Sequence, residues 1–108
     1  MAEDDMLRAQ GPGRITRDSR DMGIAHSELL RALPGAIGHR HYTVHQGRIT
    51  IQDRYGEVEL RLCPQRERAL GALRLPTTQV VFTFTGHTPE QVQAFMDRFD
   101  LYLRRGGG

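Results

Sequence analysis

The chain has 108 residues, 38% of them hydrophobic, with a formal net charge of +2 and a single cysteine. That length suits one domain and leaves no room for two. No stretch approaches the roughly 18 consecutive apolar residues of a membrane span, and so small a net charge gives no ground for DNA binding. The lone Cys63 excludes an internal disulfide and fits a reducing compartment, so a cytoplasmic protein is expected.

Taken in chain order, residues 1–17 open with acidic Glu3-Asp4-Asp5 and continue through Gln10-Gly11-Pro12-Gly13. They hold few apolar residues, show no period and lack the apolar core of a secretory leader, so a disordered tail is expected. Residues 18–108 are expected to form a single α+β domain. Its first helix runs from a Ser27 cap through Leu29, Leu30 and Leu33, with a start as early as Asp18 or Ser19. Such a start places Met22, Ala25, Leu29 and Leu33 on one stripe. Pro34-Gly35 is expected to end the helix.

Residues 39–63 read as a three-stranded antiparallel meander. Tyr42 and Val44, then Ile49 and Ile51, then Val58, Leu60 and Leu62 each alternate with polar residues. Period-2 alternation gives one buried face and one wet face. With two-residue turns at Gln46-Gly47 and Tyr55-Gly56, Val44 sits opposite Ile49, His45 opposite Arg48 and Ile51 opposite Leu60. All the apolar residues then share one face, as a buried sheet face requires.

Pro64 closes the third strand. Residues 65–78 are expected to be a structured connection that tucks Leu70, Leu73 and Leu75 under the sheet. Ala69 and Ala72 fit a short helical stripe there, and Gly71 weakens it by about 1 kcal/mol relative to alanine. A fourth strand follows, in which Val80, Phe82 and Phe84 alternate with Gln79, Val81, Thr83 and Thr85. Thr88-Pro89-Glu90-Gln91 is a capping box with proline at the first helical position. From there Val92, Phe95, Met96, Phe99, Tyr102 and Leu103 form a core-facing helical stripe, closed by Gly106-Gly107-Gly108. The expected fold is therefore helix, meander, connection, fourth strand and C-terminal helix. Both helices pack on one face of a four-stranded antiparallel sheet, and the other face stays polar and open.

Chemistry is sparse. His39, His41 and His45 share a face if the strand is continuous, and a His-x-His pair can hold one metal ion. His45 lies about 13 Å from His41, at about 3.3 Å per residue, and cannot join it. In the expected register the residue opposite His41 is Gln52, a poor ligand, with Glu59 beyond it. Weak metal candidates are thus His39, His41 and Glu59. Cys63 falls near Arg48 and His45, but no base or oxyanion hole accompanies it, and Glu57 and Glu59 lie beside Arg54 and Arg61 as ion-pair partners. No catalytic residue is assigned and no cofactor is expected.

All fifteen basic residues are arginine. Arginine suits phosphate and carboxylate recognition, but these are scattered and mixed with acids. The Arg66, Arg68 and Arg74 cluster is the best support for RNA binding, which otherwise lacks outward aromatics for base stacking. The leading expectation is a small non-enzymatic interaction module. It would bind a protein partner or itself through the open polar face or a sheet edge. A metal or small-molecule site at His39, His41 and Glu59 is the alternative, and RNA binding the third.

Overall fold

The computed structural model describes residues 14–107. It is an α+β fold of two helices and six antiparallel strands, and residues 1–13 of the expected tail lie outside the described residues. In chain order the elements are β1 (Ile15–Met22), α1 (His26–Ala36), β2 (Tyr42–His45), β3 (Arg48–Asp53), β4 (Gly56–Leu62), β5 (Arg66–Leu70), β6 (Leu73–Thr85) and α2 (Pro89–Gly107). The strand order is β1-β6-β4-β3-β2, and β5 pairs with β6 alone.

Two strands beyond the expected four correct the sheet. β1 occupies residues 15–22, where a tail end and an early helix start were expected. Its side chains are Ile, Thr, Arg, Asp, Ser, Arg, Asp and Met, so neither face carries an apolar row that alternation could reveal. It holds its place by pairing along β6, from Ile15 opposite Thr85 to Met22 opposite Thr78. β5 replaces the expected connection. Gly71, with φ +63°, makes a turn with Ala72 rather than interrupting a helix. Leu70, Leu73 and Leu75 are exposed and are not tucked under the sheet.

The first helix also differs at both ends. Ala25 is its N-cap, with no side-chain cap, and Pro34 lies inside the helix. The stop comes three residues later. Gly38 N–H donates to Gly35 O at 3.2 Å and His39 N–H to Pro34 O at 2.8 Å, with both Gly38 and His39 at positive φ. This is a Schellman closure with glycine at the left-handed position. The expected capping box of α2 is present: Thr88 N–H donates to Gln91 Oε1 at 2.9 Å, and Gln91 N–H to Thr88 Oγ1 at 3.2 Å.

The β2–β3 register matches expectation, with Val44 opposite Ile49 and His45 opposite Arg48. Gln46 and Gly47 both have positive φ, the signature of a two-residue turn matched to strand twist. The β3–β4 register differs by two residues: Ile51 faces Val58, and Leu60 faces Ile49. The turn is Arg54-Tyr55, because Asp53 Oδ1 accepts the Tyr55 N–H at 2.7 Å and folds the chain one residue earlier. A two-residue shift keeps every side chain on its face. The core accordingly joins Ile49, Ile51, Val58, Leu60, Leu62, Val80, Phe82 and Phe84 to Leu29, Leu33 and Ile37 around α1 and Phe95, Met96, Phe99 and Leu103 of α2. Tyr102, expected in this stripe, is exposed and lies under the Arg98 guanidinium, 4.9 Å from the ring centre.

β4 and β5 run along the same flank of β6. Leu62 faces Val80, and after Pro64 the pairing resumes with Arg66 facing Thr77. His26 pins this joint, with its ring 2.8 Å from Cys63 O and its N–H donating to Gln65 Oε1 at 2.9 Å. Beyond it, Arg66–Leu70 and Leu73–Thr77 form a two-stranded arm, and among the described residues neither of its outer edges is paired.

Candidate functional site

Directly paired residues of antiparallel strands share a face. Pairing therefore maps the face opposite the core row by row. His41, Gln52, Glu57, Thr85 and Ile15 make the first row, since the Gln52 N–H donates to His41 O. Thr43, Thr50, Glu59, Thr83 and Arg17 make the second, and His45, Arg48, Arg61, Val81 and Ser19 the third. The arm continues the series with Arg66 beside Thr77, Arg68 beside Leu75 and Leu70 beside Leu73. The face thus runs from Glu57 and Glu59, with Arg17 in the second row, through Arg48 and Arg61 and then Asp21 opposite Gln79, to the arm's Arg66 and Arg68 and a leucine tip.

That tip is the largest apolar feature on this face. Leu70, Leu73 and Leu75 are 53%, 64% and 42% exposed. Their neighbours on the arm's other face are Glu67 and Arg74, an exposed ion pair at 3.5 Å. Elsewhere the edges are protected. β1 turns Asp18 and Arg20 toward the core side, where Arg20 meets Asp18 at 3.0 Å and Asp100 of α2 at 3.6 Å. Inward charges of this kind discourage strand addition. β2 is only four residues long.

The sequence candidates do not converge. His39 sits in the left-handed turn after α1 with φ +60°, off the strand that was to carry it. His41 shares its row with Gln52 and Glu57, whereas Glu59 lies one row away, opposite Thr50, and meets Arg48 at 3.4 Å. Among the described residues no group of three or more His, Cys, Asp or Glu side chains is placed to hold a metal ion. Cys63 is half-buried between two hollows, one shared with His45, Arg48 and Arg61 and one with Asp21, Arg66 and Arg68.

A buried polar pair escaped sequence reading. His87 Nε2 lies 3.2 Å from Asp53 Oδ2, with the two side chains 1% and 3% exposed. Asp53 also faces Arg40 Nε at 3.7 Å, and the imidazole packs edge-on against Tyr55 and Phe84. His87 Nδ1 has no hydrogen-bond partner among the described residues. The pair ties the β3–β4 turn to the loop before α2. Two glycines permit that approach: a Cβ at Gly56 would lie 1.9 Å from Thr85 O, and one at Gly86 2.5 Å from Tyr55 O. A hollow of about 450 Å³ opens beside Asp53, lined by Arg40, Tyr55, Gln91 and Arg98. Its arginines are engaged: Arg98 donates through Nε and Nη2 to Gly35 O, and Arg40 through Nη1 to Ile37 O, closing the end of α1. The pair, with Arg40 on Asp53, clamps the two loops together.

No protein-family model matches the chain, and neither the curated proteins nor the solved structures contain a match. No helix among the described residues is long and apolar enough to cross a membrane.

Proposed function

We propose that the chain is a small, non-enzymatic, cytosolic interaction module that binds a second copy of itself through the β5–β6 arm and the adjoining open face. In this reading both helices cover the other face of the sheet. One observation carries it: Leu70, Leu73 and Leu75 lie together, exposed, on an arm only two strands wide. An isolated two-stranded ribbon is marginally stable in water, and its unpaired edges invite pairing.

Charge favours a second copy over an unrelated partner. Glu57 and Glu59 lie in one half of the face beside a single Arg17, and Arg61, Arg66 and Arg68 in the other beside a single Asp21. A two-fold arrangement with antiparallel strands sets each copy's arm arginines over the other's glutamates, the self-complementarity that an isologous interface needs. Three leucines fall short of the roughly 800 Å² per partner of a standard interface, so the polar rows must take part.

Sedimentation velocity on the full chain, from micromolar to submillimolar concentration, tests the reading. A dimer is expected, and Leu73→Glu should convert it to a monomer with little change in melting temperature. A wild type that stays monomeric throughout the range overturns self-association. Among the described residues His39, His41 and Glu59 form no metal-holding group, and of the three arginines behind the RNA reading Arg66 and Arg68 share the open face while Arg74 lies on the arm's other face.

A further inference from the structure

The third row of the open face places two arginines directly opposite one another, with a histidine beside them. Arg48 faces Arg61 across β3 and β4, and His45 faces Arg48 across β2 and β3. Like-charged side chains in directly opposed positions destabilise a sheet, and an arginine cannot shed its charge to relieve the strain. Arg48 finds partial relief from Glu59, 3.4 Å away in the neighbouring row. Arg61 makes no ion pair or side-chain hydrogen bond among the described residues. The row lines a hollow of about 480 Å³, bounded by the Gln46-Gly47 turn and by Cys63-Pro64 at the root of the arm.

We infer that this hollow binds a phosphoryl-type oxyanion between the Arg48 and Arg61 guanidiniums, with His45 as a third donor. Cβ atoms of directly opposed residues stand about 4.5–5.5 Å apart. Two planar guanidiniums on such stems can converge on one tetrahedral anion, each through paired N–H donors. The rigid two-residue turn fixes His45 and Arg48 relative to each other, and the His26 contacts to Cys63 and Gln65 fix the far wall. An anion held there removes the repulsion between Arg48 and Arg61 that the free chain carries. The site uses residues of one chain, but Arg61 also lies on the face that the proposed dimer covers, so the site is tested where the chain is monomeric.

The test is a titration of inorganic phosphate into the full chain at constant ionic strength, followed by backbone and arginine side-chain NMR. Saturable shifts centred on His45, Arg48, Arg61 and Cys63 are expected. Arg48→Gln and Arg61→Gln should each weaken binding by about ten-fold or more, since each removes a charge-assisted pair of hydrogen bonds. Arg61→Lys, which keeps the charge but loses the fork, should fall between. Arg31→Gln, exposed on α1, should change nothing. The titration is run on Leu73→Glu, expected to be monomeric, and on wild type diluted below its association range; both should bind phosphate alike, so a failure of the dimer and a failure of the site remain distinguishable. A phosphoserine peptide that binds more tightly than inorganic phosphate identifies a phosphorylated partner as the source, and equal affinity identifies the free anion. Non-saturating shifts spread over the exposed arginines and indifferent to Arg61→Gln would mean an adventitious ion only, and would overturn the inference.

Discussion

β6 has two halves with opposite surroundings. From Val80 to Thr85 it lies between β1 and β4, and its even-numbered Val80, Phe82 and Phe84 are buried. From Leu73 to Thr77 it has only β5 beside it, and its odd-numbered Leu73 and Leu75 face solvent. Both halves alternate cleanly, yet one builds the core and the other does not. The apolar positions change parity between 75 and 80, so along one continuous strand the leucines point to the face opposite the phenylalanines. Alternation reports that one face differs from the other; what covers that face depends on elements far away in sequence.

The largest expected effect sharpens this contrast. Phe82 contacts Phe84, Phe95 and Phe99 edge-on or stacked, with ring centres 5.0–6.4 Å apart. Phe82→Ala should cost about 3–5 kcal/mol in denaturant unfolding. That is a large share of the roughly 5–15 kcal/mol that holds a domain together. If Phe82→Ala and Leu73→Ala proved equally harmful, the two halves would share one core and the contrast would fail.

Much of the core half was legible in the sequence. The meander face, the fourth strand and the capping box of α2 all rest on local signals: Val, Ile and Leu at period two, Gln46-Gly47 at a tight turn, and Thr88 with Gln91 three residues on. Where side chains carry no apolar pattern, the reading failed. β1 is a strand because β6 offers it a ladder, and nothing in Thr16, Asp18 or Arg20 announces that. β5 was hidden because Arg66, Glu67 and Arg68 precede only two apolar residues. The β3–β4 register turned on one side chain, since Asp53 captures the Tyr55 N–H and competes with the glycine as the turn's organiser. The parity change along β6 was visible in principle, but only to a reading that took 73–85 as one strand. Nor could spacing have joined Asp53 to His87, which lie 34 positions apart and meet through the folded sheet.

The second prediction concerns that pair, which anchors the end of the core half farthest from the arm. Asp53→Ala strands the buried His87 ring and removes the acceptor of the Tyr55 N–H. Leaving the buried His87 ring unpaired costs about 1–3 kcal/mol, and the exposed Tyr55 N–H adds less because water can take its place. Asp53→Asn keeps an acceptor and should be milder. Equal melting temperatures for Asp53→Ala and the wild type would show that the loops do not depend on the clamp. A smaller loss is expected at the start of α2, where Thr88→Ala frees the Gln91 N–H and should cost about 1 kcal/mol. Gln91→Ala, which breaks the reciprocal bond, should stay at or below that value.

The smallest effect on stability is expected in the arm, and there it is the most informative. Leu73→Glu replaces a side chain that is already 64% exposed, so the monomer's stability should move by no more than about 0.5 kcal/mol. Hydrogen exchange reads the arm separately from the core. Val80, Phe82 and Phe84 are flanked by strands on both sides, so their amides should open only with global unfolding, whereas amides of Leu73 and Leu75 should open locally at much lower cost. If a second copy covers the arm, protection at 66–77 should rise with protein concentration in the wild type and stay flat in Leu73→Glu, while protection at 80–84 stays constant in both. Arm protection that is high and independent of concentration would instead mean that the ribbon is held by its own chain, and the leucine tip would then need no partner.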